Sequence, residues 1–253
     1  MSRTIAVANQ KGGVGKTTTV INLAAYLADA GKRVLAVDID PQGNTTTGLG
    51  IDKRDMDVSI YDVLLGSESV MEALVPTSVV GLHLLPATLD LAGAEVELSQ
   101  AVDRENRLRK AIKPLTERYD FIFVDCPPSL GLLTINALCA ADRVMIPMQC
   151  EFFALEGLSQ LLSTIDLVKA RLNPQLGLEG IVLTMYDGRT NLSSQVAQEV
   201  RHHFASQVYE SVIPRTVRLS EAPSHGMPIL RYDAKSRGAL GYRALAEEVM
   251  ANG

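Results

Sequence analysis

The chain has 253 residues, 47% of them hydrophobic, and a formal net charge of −5 at pH 7. This length fits one large α/β domain, so we expect residues 1–253 to form a single domain. The acidic balance argues against a generally basic nucleic-acid binder, and no apolar stretch approaches the ~20 residues that cross a bilayer. Without a signal-peptide pattern, and with three cysteines that form no C-x-x-C pair, the sequence predicts a cytoplasmic protein with free thiols and no membrane contact.

A glycine-rich turn lies between an apolar run at residues 5–8 and a helical pattern that starts near Lys16. Residues 9–18 read NQKGGVGKTT. Glycines let backbone N–H groups approach phosphate oxygens, while the Lys16 ammonium supplies positive charge and the Thr17 hydroxyl can ligate Mg²⁺. The stretch therefore predicts a nucleoside triphosphate site at the start of a helix. Its predicted contacts are Lys11, Gly12, Gly13, Val14, Gly15, Lys16, Thr17 and Thr18.

Lys11 is a second lysine on this short loop, and Gln10 stands where a strict G-x-x-x-x-G-K-[ST] motif has glycine. One nucleotide explains one phosphate-binding lysine, so Lys11 either faces another charge or is an ordinary solvated loop lysine. The pattern resembles the deviant Walker A motif of the ParA/MinD/nitrogenase-iron-protein group of P-loop ATPases. That resemblance implies ATP as the nucleotide, bound in a two-fold dimer where Lys11 reaches the nucleotide of the partner subunit.

Two predicted buried strands end in carboxylates. Residues 33–42 read RVLAVDIDPQ, and residues 119–128 read YDFIFVDCPP, a Walker B pattern. Because ligands bind at the carboxyl ends of parallel strands, we expect Asp40 to face Mg²⁺ and the attacking water, with a turn cap as the alternative. Asp125 is predicted to hold Mg²⁺ through its water shell. For hydrolysis we expect Asp40, Lys16 and the partner's Lys11 to act together.

The remaining elements predict a doubly wound α/β fold, with a mostly parallel sheet flanked by helices and no internal repeat or linker. Helical patterns cover residues 16–31, 60–65, 91–113, 130–140, 158–172 and 191–204, and strand patterns cover residues 81–86, 142–147, 180–185 and 208–213. Residues 43–60 are predicted to be loop and exposed turn, and Leu192 is expected to face inward with Val196, Val200 and Phe204. Residues 148–157 resemble the corresponding segment of ParA proteins.

The C-terminal region carries a further resemblance. Residues 213–226 read IPRTVRLSEAPSHG and are followed by RYD at 231–233 and SRG at 236–238, which is similar to Soj-type chromosomal ParA proteins. The resemblance implies that Pro214 and Thr216 border the adenine.

Residues 189–243 carry eight basic and four acidic side chains, a local charge of +4. This excess indicates either a phosphate-binding face or arginines scattered over a solvated surface. The resemblance implies that Arg189 and Arg218 bind DNA without sequence preference, and no helix-turn-helix pattern predicts base reading.

Together these resemblances imply an Mg²⁺-dependent partitioning ATPase. An ATP-bound homodimer would bind double-stranded DNA on the nucleoid. Hydrolysis, stimulated by a ParB (Spo0J-like) partner, would release it during chromosome or plasmid segregation.

Two alternatives remain. A MinD-like membrane regulator needs a basic amphipathic C-terminal helix, whereas residues 244–253 are short and acidic. An iron-protein reductase needs two exposed interfacial cysteines, whereas Cys126 stands alone and Cys139 lies on a predicted core helix.

Overall fold

The protein is built around one eight-stranded sheet. The computed structural model describes residues 2–151 and 154–252; Phe152 and Phe153, in the ParA-like segment 148–157, therefore lie outside the described residues. The strand order is β3-β4-β2-β5-β1-β6-β7-β8, and only the β3–β4 pair is antiparallel. The strands are β1 (Arg3–Val7), β2 (Val34–Asp38), β3 (Val75–Pro76), β4 (Leu82–Leu85), β5 (Phe121–Asp125), β6 (Arg143–Gln149), β7 (Gly177–Tyr186) and β8 (Val208–Pro214). The predicted doubly wound, mostly parallel sheet is confirmed.

Helices cover both faces of this sheet. They are α1 (Lys16–Asp29), α2 (Asn44–Gly48), α3 (Ile60–Leu65), α4 (Leu91–Leu98), α5 (Arg107–Ile112), α6 (Leu132–Ala140), α7 (Ala154–Arg171), α8 (Asn191–Phe204), α9 (Val217–Glu221), α10 (Ile229–Tyr232) and α11 (Arg237–Ala251). Alternate strand residues feed two hydrophobic clusters: Ile5 and Val7 pack with α1 and α11, while Ala6 and Ala8 belong to the cluster on the other face. Strands buried on both faces explain the continuous apolar runs in the sequence.

The register of the central strands sets the position of the site. Asp125 pairs with Val7 on β1 and with Asp38 on β2, so the two acidic strand ends lie side by side, on one side of the strand that feeds the glycine-rich loop. These strand ends lie at the carboxyl edge of the sheet, next to β1, where the strand order changes direction. Of the helices in residues 2–151 and 154–252, none is long and apolar enough to cross a membrane.

Three local predictions were wrong. Residues 44–48 form α2 rather than exposed loop, because the side chains of Thr45 and Thr46 are buried and bonded to carboxylates. The pattern at 91–113 is broken between α4 and α5, where Asp103 adopts a left-handed φ of 56° that no regular helix permits. Leu192 lies in the first turn of α8 and is 46% exposed. Helices at 60–65 and 191–204 were predicted with the observed bounds.

Candidate nucleotide site

The glycine-rich loop joins β1 to α1, and two of its glycines are required by backbone geometry. Gly13 and Gly15 have φ values of 74° and 92°, a region that side chains with a Cβ rarely adopt. Gly12 lies outside that region, and a Cβ built there meets no atom of the described residues within 4 Å. Space within the subunit therefore does not explain Gly12.

Side chains from β6 and β7 hold the loop in shape. The Thr184 hydroxyl donates to the Val14 carbonyl at 2.8 Å, and the Gln149 amide donates to the Gly13 carbonyl at 3.0 Å. These contacts join residues that lie 170 and 136 positions apart, so no spacing in the sequence indicated them. A loop whose carbonyls are already engaged is pre-organised for a ligand on its N–H side.

Lys16 is buried at the start of α1, and its ammonium donates to the Lys11 carbonyl at 3.2 Å. Burial lowers the pKa of Lys16 from its ordinary value, whereas the neighbouring charges of Asp125 and Asp40 oppose that shift. An ammonium in so little water gains strongly from an added phosphate. The predicted phosphate lysine thus lies against the loop.

Asp125 is fully buried at the end of β5. Its Oδ2 accepts hydrogen bonds from the Thr17 hydroxyl at 2.8 Å and from the Thr45 hydroxyl at 2.7 Å. Its Oδ1 is buried and has no hydrogen-bond partner in the described part of the chain. Burial raises the pKa of Asp125 to about 6. A buried, unpartnered carboxylate oxygen beside a hydroxyl fits a hard cation such as Mg²⁺ or one of its water ligands.

The two carboxylates at the end of β2, Asp38 and Asp40, have different surroundings. Both carboxylate oxygens of Asp38 accept hydrogen bonds from within the chain. Its Oδ2 accepts from the backbone N–H of Thr46 at 2.8 Å and from the Thr46 hydroxyl at 2.7 Å, and its Oδ1 accepts from the backbone N–H of Asp40 at 3.2 Å. Burial and then the neighbouring Asp125 raise the pKa of Asp38 to about 8. Asp40 accepts only the turn contact from the Gln42 backbone at 2.9 Å among the described residues. Asp38 therefore orients the segment, and Asp40 makes the turn contact that was the alternative to a role at Mg²⁺.

A cavity of about 460 Å³ opens beside the loop, within the range of small-molecule sites. One wall contains Gly15, Thr17 and Thr18, and the other contains Pro214 and Thr216. Three of the predicted phosphate contacts and both predicted adenine contacts therefore line one cavity. Residues that sequence reasoning missed also line the cavity, namely Asn44, Thr47, Met185, Leu219 and Tyr242. Met185 carries a left-handed φ of 49°, which a non-glycine residue adopts only when its surroundings impose it.

Lys11 is not a lining residue of this cavity. Its ammonium forms an ion pair with Oε2 of Glu151, and both side chains are about half exposed, at 48% and 53%. The second lysine is therefore an accessible charge at the rim of the site.

The two arginines predicted to bind DNA are exposed, but each has an acidic neighbour. Arg189 pairs with Asp187 at 2.7 Å, and Arg218 pairs with Glu221 at 3.0 Å and Asp233 at 3.5 Å. Asp187 stands two positions before the basic region counted in the sequence. The positive face is thus partly neutralised within the chain.

The three cysteines are free and buried, and burial raises the pKa of the Cys139 and Cys150 thiols to about 11. Burial also raises the pKa of Cys126. Iron–sulfur ligation needs accessible thiolates, so the reductase alternative gains no support from this geometry. Within residues 2–151 and 154–252, no three His, Cys, Asp or Glu side chains group as metal ligands. A cation at Asp125 would thus depend on hydroxyl, water and ligand oxygens.

The fold and the site define a P-loop nucleoside triphosphatase, since the phosphate loop and the acidic strand ends meet at one edge of a parallel sheet. The AAA domain family matches residues 2–178. The chain is 58% identical over 253 residues to the sporulation initiation inhibitor protein Soj of Bacillus subtilis, covering 100% of both chains. It is 58% identical over 250 residues to the chromosome partitioning protein ParA of Myxococcus xanthus, covering 99% of this chain and 88% of that protein.

A solved structure is also similar over the whole length. Cobyrinic acid a,c-diamide synthase from Mycobacterium smegmatis, with bound ADP and magnesium, has a TM-score of 0.88 and 44% identity, covering 100% of this chain and 95% of that chain. The chain belongs to the ParA/Soj family of chromosome-partitioning ATPases.

Proposed function

We propose that this protein is an Mg²⁺-dependent ATPase whose ATP-bound homodimer binds double-stranded DNA without sequence preference and releases it on hydrolysis. The observation that carries the proposal is the unpartnered Oδ1 of buried Asp125, whose other carboxylate oxygen is bonded to Thr17, a residue that lines a nucleotide-sized cavity. The membership of the ParA/Soj family supports the same activity.

The residues divide the work by their positions. The loop from Gly12 to Thr18 binds the phosphates, and Pro214 and Thr216 border the adenine. Thr17 and Asp125 hold Mg²⁺, with Asp40 nearby, and the cation supplies charge neutralisation at the phosphate oxygens. Asp40 orients the attacking water, and Lys16 stabilises the charge that develops on the phosphate.

Dimerisation is supported by Lys11 and Gly12. Lys11 is accessible at the rim of the site, and no atom of residues 2–151 and 154–252 fills the space next to Gly12. A second subunit facing this loop would take up that space. Lys11 would then exchange Glu151 for a phosphate oxygen of the partner's nucleotide.

Binding to DNA is supported by the exposed Arg189 and Arg218, which would contact phosphates rather than base edges. Two such faces in a dimer convert weak single contacts into usable affinity. The protein would then associate with the nucleoid in the cytoplasm when ATP is bound. A ParB (Spo0J-like) protein would stimulate hydrolysis and so control release, for a chromosomal or plasmid cargo.

DNA retardation on two unrelated duplexes, with ATP, ADP or no nucleotide, tests this cycle. We expect strong retardation with ATP, to the same extent on both duplexes, and weak retardation with ADP or without nucleotide. Equal retardation with ADP, or a preference for one duplex, would contradict the proposal.

A salt series measured by fluorescence anisotropy tests the two arginines. The double change Arg189→Ala and Arg218→Ala should leave ATP binding intact and make the slope of log affinity against log salt shallower by about 0.9 for each phosphate that the protein no longer neutralises. Arg54→Ala is a matched control, because Arg54 is also an exposed arginine paired with an aspartate. An unchanged slope in the double variant would show that neither arginine binds DNA.

A further inference from the structure

Asp187 makes three hydrogen bonds to Arg189. Its Oδ1 accepts from the Arg189 backbone N–H at 3.1 Å and from Nε at 2.9 Å, and its Oδ2 accepts from Nη2 at 2.7 Å. The two side-chain bonds form the parallel fork with which a guanidinium also binds a phosphate. Arg189 therefore already has an anionic ligand of the geometry that a DNA backbone would offer.

We propose that Asp187 is an internal competitor of DNA, holding Arg189 in the free protein in the place of a backbone phosphate and thereby limiting the affinity of each subunit for a duplex. The inference rests on the proposed function, in which Arg189 contacts DNA. It assigns to Asp187 a role in setting how weakly the dimer binds.

The unequal exposure of the two side chains supports competition rather than a permanent ion pair. The backbone carbonyl of Asp187 accepts from the backbone N–H of Thr190 at 3.1 Å and from its hydroxyl at 3.0 Å, so the turn after β7 holds the backbone that carries the carboxylate. The Arg189 side chain is 90% exposed, against 27% for Asp187. A long exposed side chain can leave a fixed carboxylate, and such ion pairs are weak and screened by salt.

Arg218 is also paired with acidic side chains, in this case with two different residues. Its Nη1 lies 3.0 Å from Oε2 of Glu221, and its Nε lies 3.5 Å from Oδ2 of Asp233. The hydrogen bonds of Arg189 hold the pKa of Asp187 well below its usual range, and the charge of Arg237 adds to that shift, so Arg237 lies close enough to act on it.

Asp187→Asn tests the proposal. The asparagine Oδ1 can still accept the Arg189 backbone N–H, so the turn is preserved while the negative charge is removed. We expect the affinity of the ATP-bound protein for two unrelated duplexes to rise by about three- to ten-fold at low salt, because two weak pairs no longer compete in the dimer. The gain should shrink as salt rises. Fluorescence anisotropy over a salt series measures both effects.

Asp52→Asn is the matched control. Asp52 makes the same three bonds to Arg54, from the backbone N–H at 3.0 Å, Nε at 3.0 Å and Nη2 at 2.6 Å. The change Asp52→Asn removes one negative charge outside the basic region. An equal gain in affinity from Asp52→Asn would overturn the proposal, because the gain would then follow from the net charge of the protein. In an Arg189→Ala background, Asp187→Asn should give no gain, because no arginine remains to be released.

The outcomes separate the inference from the proposed function. If the unchanged protein does not bind DNA with ATP, the proposed function fails. If it binds, and Asp187→Asn binds equally or more weakly, then Asp187 orients Arg189 and the competition is overturned while the proposed function stands. Thermal melting checks that the variant is folded; should it unfold, Asp187→Ser, whose hydroxyl accepts the same N–H, decides by the same comparison.

Discussion

Thr45 donates its hydroxyl hydrogen to Oδ2 of Asp125 across 2.7 Å, which ties the five-residue helix α2 to the end of a neighbouring strand. Thr17, in the first turn of α1, donates to the same oxygen at 2.8 Å. One buried carboxylate thus joins the phosphate loop to the segment that follows Asp40. A ligand that displaces either hydroxyl from Asp125 would therefore affect both the phosphate loop and the segment that follows Asp40.

Replacing Thr45 by Val should destabilise the protein by about 1–3 kcal/mol, because a buried carboxylate loses one of two donors while the volume of the side chain is conserved. Thermal unfolding without nucleotide measures the loss. Thr47→Val is the control, since Thr47 lies on the same helix and its hydroxyl donates only to the Gly43 carbonyl at 3.2 Å among the described residues. Equal losses in the two variants would mean that the hydrogen bond to Asp125 contributes little.

The stability of the nucleotide-free protein should fall as the pH rises from about 4 to 8. The pKa values of Asp125 and Asp38 are raised to about 6 and about 8. Between the ordinary pKa near 3.9 and these values, the folded protein keeps protons that the unfolded chain has released. More protons on the folded state mean that the free energy of unfolding decreases with pH, by up to about 1.4 kcal/mol per unit for each proton kept.

Urea unfolding at pH 5, 6, 7 and 8 measures this dependence. Asp38→Asn should flatten it above pH 6, because an amide accepts the Thr46 hydrogen bonds without titrating. A free energy of unfolding that increases from pH 5 to pH 8 would show that both carboxylates are charged in the folded protein.

Lys16→Ala should weaken ATP binding by about 100-fold or more, since the phosphates lose the buried ammonium that faces them. Isothermal titration calorimetry measures the change. Lys11→Ala provides the comparison on the same loop: its exposed ammonium should contribute little to the affinity of a single subunit. Near-normal affinity in Lys16→Ala would refute the phosphate-loop assignment.

Gly12→Val should permit ATP binding and block the ATP-dependent dimer. The part of the subunit that the structure describes has room, because none of its atoms lies within 4 Å of a Cβ at this position. The branched side chain would instead fill the space assigned to the second subunit. Light scattering with ATP measures the dimer, and Gly13→Val, at a φ of 74°, should by contrast disturb the loop itself. A dimer of normal strength in Gly12→Val would count against this interface.

Asp40→Ala should stop hydrolysis and leave an ATP-bound dimer. Asp40 makes a turn contact but no side-chain bond to the phosphate loop among the described residues, so its removal should affect the water more than the binding of ATP. Phosphate release and light scattering together measure the two effects, with Asp55→Ala as an exposed acidic control. A variant that no longer dimerises with ATP would place Asp40 in binding.

The amino-acid sequence by itself determined the layered fold and the chemical parts of the site. Alternation of apolar runs with helical patterns implies parallel strands whose carboxyl ends meet, and the glycine loop and Asp125 each carry their chemistry within a few consecutive residues. Such short-range patterns can be read locally. The adenine wall at Pro214 and Thr216 and the basic arginines entered through family resemblance.

Only the tertiary structure decided which side chains are free to act. Asp38 and Asp40 lie at the same strand end, and the packing of α2 gives Asp38 hydrogen bonds from Thr46, whereas Asp40 accepts a turn contact from Gln42. Gln149 and Thr184 hold the phosphate loop from over 130 residues away. Asp187 lies outside the basic region counted in the sequence, and the turn after β7 brings its carboxylate into contact with Arg189. A hydrogen bond requires two atoms within about 3 Å and in line, and that placement depends on the packing of the whole chain.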